Sequence, residues 1–178
     1  MSTATYYPNT SGGAGWYGSD VDPPVDLAKI NTALSAADLD TMSADDANYV
    51  QTAGASAGYC HRICFLVTQP EASVSQLDLT FKGFGAGNLG DCKYTVYIWN
   101  FTTVAWEAGG SHTGDTEQTV TKQIASGTGD YIDDSGYVYS LVQGPSGNDI
   151  NNSINTYFGS LLVTYTSVST KSWSHIVG

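Results

Sequence analysis

Charge is what this chain has least of. Only 13% of its 178 residues are charged, about half the ~25% usual for soluble domains. The net charge is −11, with 6 Lys and Arg in all. A nucleic-acid binder needs a basic footprint that displaces counterions from phosphates, and none is present. A polybasic membrane anchor is excluded on the same ground. No run approaches the ~20 apolar residues of a membrane span. Met1 is followed by Ser, Thr and Ala and then by polar, strand-like sequence, not by the apolar core of a signal peptide. The expectation is either a leader already removed or synthesis and assembly in the cytoplasm. Cysteine is scarce too: Cys60, Cys64 and Cys92. An odd count argues against a secreted disulfide framework. Cys60 and Cys64 share strand parity and would lie ~13 Å apart at ~3.3 Å per residue, too far to bond to each other. Cys92 is within reach of either across strands, and buried free thiols are the default expectation.

Catalytic signals are also missing. Glutamate is limited to Glu71, Glu107 and Glu117, and histidine to His61, His112 and His175. No metal-binding histidine motif and no nucleophile elbow surrounds them. The chain is therefore not expected to be an enzyme. No cofactor is expected either, with one qualification. Asp45, Asp46 and Asn48 form an oxygen-rich turn; so do Asp130, Asp133 and Asp134, and Asn148, Asp149, Asn151 and Asn152. Calcium takes 6–8 such oxygens. Asp and Asn also dominate ordinary turns because they bond their own backbone. Asn-x-Ser/Thr acceptors stand at Asn9, Asn100 and Asn151.

What replaces charge is Ser, Thr, Asn, 20 Gly and 12 Tyr. Runs rich in Val, Ile, Thr, Tyr, Phe and Trp recur between turn clusters. They predict strands over 3–8, 48–52, 59–68, 74–81, 94–101, 104–107, 119–125, 137–143 and 157–166. Leu77, Leu79 and Phe81 share one face; Val96 and Ile98 alternate with Tyr97 and Trp99. Leu77, Leu79, Phe81, Val96, Ile98, Val138, Leu141 and Val163 are the expected core. Leu27, Ile30 and Leu34 behind Asp26 predict the one short helix, near 28–37. The fold class is all-β: an antiparallel sandwich or jelly roll with a short helix near the N-terminus. Three segments are expected: an aromatic, Gly-rich arm over 1–25, a sandwich domain over 26–167 and a tail over 168–178.

One stretch carries a resemblance. Leu77-Asp78-Leu79-Thr80-Phe81-Lys82-Gly83-Phe84-Gly85 leads to Tyr97-Ile98-Trp99-Asn100, and Trp106 follows after a tight turn. Further on come Tyr131-Ile132-Asp133 and Tyr137-Val138-Tyr139-Ser140-Leu141-Val142-Gln143. Over roughly 44–167 this resembles a β-sandwich module of phage and archaeal-virus structural proteins and of prokaryotic surface proteins. The module has no catalytic motif to carry over. Physically, the turn after Asn100 sets Trp99 and Trp106 across from each other, near enough to pair as rings. The pair is either fold-defining or ligand-binding.

The resemblance implies a non-enzymatic virion structural protein: a capsid decoration, turret, head-fibre or tail-associated subunit. Its partners would be capsid or other structural proteins and copies of itself, a trimer foremost. Tyr6, Tyr7, Trp16, Tyr17 and Trp173 are the candidate assembly or ligand surface, since exposed aromatic patches mark contacts. The alternative is a carbohydrate-binding or cell-surface adhesion module acting outside the cell on a host-surface glycan. Trp16, Trp99, Trp106 and Trp173 would then be stacking candidates.

Overall fold

The computed structural model describes residues 1–20, 25–54, 58–87, 92–145 and 152–167. They form two antiparallel sheets packed face to face. The strands are β1 (Ser2–Tyr6), β2 (Ala14–Ser19), β3 (Thr32–Ala33), β4 (Val50–Gly54), β5 (Tyr59–Leu66) and β6 (Val74–Ala86). They continue with β7 (Lys93–Asn100), β8 (Ala105–Thr113), β9 (Gln118–Ile124), β10 (Tyr137–Gln143) and β11 (Asn152–Tyr165). One sheet has the order β3-β2-β5-β10-β7-β8. The other runs β1-β11-β6-β9, and β4 also pairs with β11. The length of β11 makes this arrangement fit: Asn152–Thr156 pair with β4, and Leu161–Tyr165 pair with β1.

Alternation sends one side of each strand into the space between the sheets. Leu77, Leu79, Phe81, Ile154, Leu161 and Val163 from one sheet meet Ile63, Phe65, Val96, Ile98, Val138 and Val142 from the other. All the core residues expected from the sequence are buried. Leu141 is the exception in placement, because it belongs to a second cluster with Ile30, Cys60, Tyr97, Trp99 and Trp106. That cluster lies on the outer face of the six-stranded sheet.

The helix is α1 (Ala36–Ser43), C-terminal to the expected span. Ser35 and Asp38 form a reciprocal capping box that satisfies two orphan donors at its start. The Leu27–Ile30–Leu34 period is real burial but not helix. Asp26 instead makes an Asx turn, its Oδ1 accepting from Ala28 N at 2.8 Å. Ile30 is driven onto the outer cluster and Leu34 into the inner one.

The N-terminal stretch is not an arm. β1 pairs with β11 through five residues, and β2 pairs with β5 through six. Both strands belong to sheets they share with the rest of the chain. The Gly-rich composition that reads as loop has a packing cause. A Cβ on Gly15 would come within 2.9 Å of the side-chain ends of Leu34, Leu39 and Ile63, so glycine lets β2 approach the core without displacing them. Residues 168–178 lie outside the described residues.

The β7–β8 hairpin follows the sequence reading. Trp99 and Trp106 are register partners, with ring centroids 5.2 Å apart at 75°. Asn100 Oδ1 accepts from Thr102 N and Thr103 N, both at 2.9 Å, and Val104 takes φ 53° to close the turn. Cys60, Cys64 and Cys92 are free thiols.

Candidate functional site

The five residues expected to form one surface do not come together. Tyr6 is buried, and its hydroxyl bonds Thr68 and Gln69. Tyr7 is exposed and sits 6.0 Å from the Phe158 ring. Trp16 lies on the outer face of the six-stranded sheet, where the Arg62 guanidinium stacks 4.0 Å from its ring. Tyr17 packs against the inner core. Trp173 falls outside the described residues.

The outer face of the six-stranded sheet is aromatic; its hairpin tryptophans are covered, while Trp16, Phe101, Tyr137 and Tyr139 stay partly exposed. Trp99 and Trp106 are only 5% and 8% exposed. Ile30 packs on them with Tyr97 and Leu141, and Arg62 Nη1 donates to the Leu27 carbonyl. Lys29 pairs with Asp20, and Asp20 Oδ2 accepts from Val25 N. Segment 25–31 therefore converts this face into a small second core. The two tryptophans are not available for stacking a ligand.

An open aromatic surface lies on the opposite sheet. Register places Gln51 of β4, Asn155 of β11 and Phe84 of β6 in one row. A β-bulge falls between Thr156 and Phe158. It inserts Tyr157 as an extra residue and breaks the alternation, so Tyr157 and Phe158 are both partly exposed. Tyr157 stands 4.9 Å from Tyr49 at 41° and 6.2 Å from Phe84 at 36°. Tyr49 is 46% exposed. Burial, then the neighbouring Glu117, hold the Tyr157 phenol above its ordinary range, so it stays a neutral hydroxyl. Beneath the platform a Cβ on Gly83 would meet Asn155 O at 2.3 Å and the Tyr94 ring at 2.8 Å. Glycine there lets β11 and the Tyr94 ring close up under the exposed rings.

Polar groups edge the platform. Gln51 Nε2 donates to Asn155 Oδ1 at 2.7 Å. Lys82 Nζ lies 3.0 Å from Asp45 and 3.3 Å from Glu117. The bond to Asp45 is the main reason its ammonium is held protonated. Asn155 is buried and anchors Gln51 from below, so the Gln51 amide, the Lys82 ammonium and two carboxylates edge the three rings, two of which carry phenols. Such an arrangement stacks an apolar face and bonds hydroxyls around it.

The oxygen-rich turns have internal explanations. Asp46 Oδ1 accepts from Asn48 N, and Asp133 Oδ1 accepts from Ser135 N and Tyr137 N. Asp130 Oδ1 accepts from the Thr102 hydroxyl. Among the described residues no group of three or more His, Cys, Asp or Glu side chains is placed to hold a metal ion. Asn148, Asp149 and Asn151 lie outside the described residues. Of the acceptor asparagines, Asn100 is buried, and Asn9 is exposed with its amide donating to Asp40.

His61 is fully buried between two threonines. Its Nε2 is 2.9 Å from Thr52 Oγ1, and its Nδ1 is 2.8 Å from Thr156 Oγ1. Burial pushes its pKa down to about 3, against a small upward pull from Asp38. His112 Nε2 is 2.8 Å from the Gly83 carbonyl, and its ring stacks on Tyr94. Thr52 faces a cleft of about 360 Å³ bordered by Tyr17, Leu34, Asp38, Val50 and Gln51.

Comparison with known proteins gives a family. The model of AF_1625_C, described as "Uncharacterized protein, C-terminal domain", matches residues 15–165. No curated protein matches. Among solved structures, the chain is similar to a xylan-binding module, CBM15, at 12% identity and a TM-score of 0.49, covering 94% of this chain and 100% of that one. It is similar to the K3 cleaved adhesin domain of Lys-gingipain from Porphyromonas gingivalis at 12% identity and 0.42, covering 91% and 90%. A third is TmCBM61, solved with β-1,4-galactotriose, at 8% identity and 0.33, covering 93% and 88%. These likenesses are remote.

Proposed function

The chain belongs to this family of C-terminal domains, and we propose that it is a non-catalytic module binding a neutral glycan outside the cell. The observation that carries the reading is the platform of Tyr49, Tyr157 and Phe84, edged by Gln51 and Lys82. Sugar rings have an apolar C–H face and a polar rim. Exposed aromatic rings remove the first from water, and the amides and charged groups replace water at the second. The net charge of −11 repels uronate or sulfate groups, which favours an uncharged glycan. Strand order supports reading the sandwich as a jelly roll: β4-β11-β6-β9 faces β5-β10-β7-β8.

The virion reading came from the resemblance, with the aromatic N-terminal stretch as its candidate assembly surface. With β1 and β2 inside the sheets and Tyr6 in the core, that surface is gone, and the glycan reading is preferred. The test is retention of the protein on insoluble xylan, cellulose, mannan and galactan, followed by titration with the soluble oligosaccharide of the one retained. Tyr157→Ala should weaken binding about tenfold, the equivalent of ~1.4 kcal/mol. Failure of every neutral polysaccharide to retain the protein, or equal binding by the Tyr49→Ala/Tyr157→Ala double variant, rejects the proposal.

A further inference from the structure

Next to the platform, on the other side of β4, lies the cleft of about 360 Å³. Its volume is at the small end of the range for ligand pockets, ~300–1,000 Å³. Its walls divide by chemistry: Tyr17, Leu34 and Val50 are apolar, while Asp38, Gln51 and Thr52 are polar. Among the described residues no Lys or Arg borders it, so this lining offers an anion no partner. A wholly apolar ligand would strip water from an acid, an amide and a hydroxyl without replacing it. A compact polyol ring matches both halves.

The polar groups are held in place from behind. Asp38 Oδ2 accepts from Ser35 N at 2.9 Å and from the Ser35 hydroxyl at 2.8 Å. Among the described residues these bonds use one oxygen of the carboxylate, and a carboxylate has about four acceptor sites. Thr52 Oγ1 is fixed by His61, which is itself fixed by Thr156. A neutral imidazole donates through one nitrogen and accepts through the other. The Thr52 hydroxyl is therefore oriented as a unit with the core. Gln51 joins the two places: it borders the cleft, and its Nε2 bonds Asn155 in the platform row. Tyr49 is two residues away along the same chain.

We propose that this cleft receives a single terminal sugar residue of the neutral glycan whose following residues lie across Tyr157 and Phe84. The proposal rests on the glycan-binding reading and adds a polarity to it: the module holds chain ends in preference to chain interiors. Recognition would come from Asp38 and Thr52 bonding adjacent hydroxyls, with Tyr17 against the ring face.

The test is an amide NMR titration of the full chain with D-glucose, D-xylose, D-mannose and D-galactose in turn, run alongside polysaccharide retention. At least one monosaccharide should shift the amides of Asp38, Gln51, Thr52 and Ala53 saturably. Asp38→Asn, which keeps the helix cap, and Thr52→Val should each weaken that affinity at least fivefold. Thermal unfolding of both variants establishes that they are folded, and either folded variant decides the question. If the polysaccharide is retained but no monosaccharide shifts the cleft, this proposal is overturned and the platform reading stands. Saturable shifts from tetramethylammonium in place of every sugar also overturn it. Loss of all polysaccharide retention alongside saturable cleft shifts would reject the platform reading and, with it, the chain-end part of this proposal, leaving the cleft as a site for a single free sugar.

Discussion

His61 has both ring nitrogens bonded to threonine hydroxyls and no surface in water. Charging it would place a cation in an apolar core, so burial lowers its pKa to about 3. In the unfolded chain it titrates near ~6.5. Between those values the unfolded chain takes up a proton that the folded chain refuses. Stability is therefore constant above pH ~6.5 and falls as pH drops toward about 3, by up to ~1.4 kcal/mol per unit. The window from pH ~6.5 to ~5 is the informative one, since carboxylates start to titrate below it. Urea unfolding across that window should show a loss of about 2 kcal/mol in the natural protein. His61→Gln should lower stability overall and flatten the slope. Parallel slopes for the two proteins would mean that the folded state binds the proton after all.

Among the elements, β1 and β2 show where local sequence stops being informative. Residues 2–6 supply a strand of one sheet and residues 14–19 a strand of the other, so the first 20 residues join both layers. Deleting residues 1–19 should therefore abolish the cooperative thermal transition. It removes Tyr6 and its bonds to Thr68 and Gln69, and it uncovers Arg62. A shortened chain that still melts cooperatively near the parent temperature would restore the arm reading. By contrast β10, over residues 137–143, was legible to its last residue, as was the Trp99–Trp106 pairing. Helix α1 was misplaced because 27, 30 and 34 are spaced like a helix face but bury against two different clusters. Their spacing reflects a chain crossing over the sheet end. The platform was hidden for a related reason. Tyr49, Phe84 and Tyr157 are far apart in sequence and meet only through the register of β4, β11 and β6. The bulge that turns Tyr157 outward leaves no mark that alternation rules read. The role of the Trp99–Trp106 pair stayed open between fold and ligand for the opposite reason, since sequence does not show that Ile30 and Leu27 will cover it.

Across the whole molecule, sparse charge of one predominant sign sets the physics of binding. With 17 acidic against 6 basic residues, long-range attraction is available only to cations. The platform's own ammonium, on Lys82, is already held by Asp45 and Glu117. Binding to a neutral glycan must then come from ring stacking and short hydrogen bonds, neither of which reaches beyond contact distance. Salt screens interactions over a Debye length that shrinks from ~30 Å at 0.01 M to ~3 Å at 1 M. Contact-range terms are nearly blind to that change. Depletion of the protein by its retained polysaccharide should therefore differ by less than about twofold between ~0.01 M and ~1 M sodium chloride. A sulfated or uronate-rich polysaccharide should stay unbound at the low-salt end, where repulsion is greatest. A steep fall in binding with salt would show that Lys82 is captured by an anionic ligand away from its two carboxylates. The glycan class would then have to be acidic, against the sign of the whole protein.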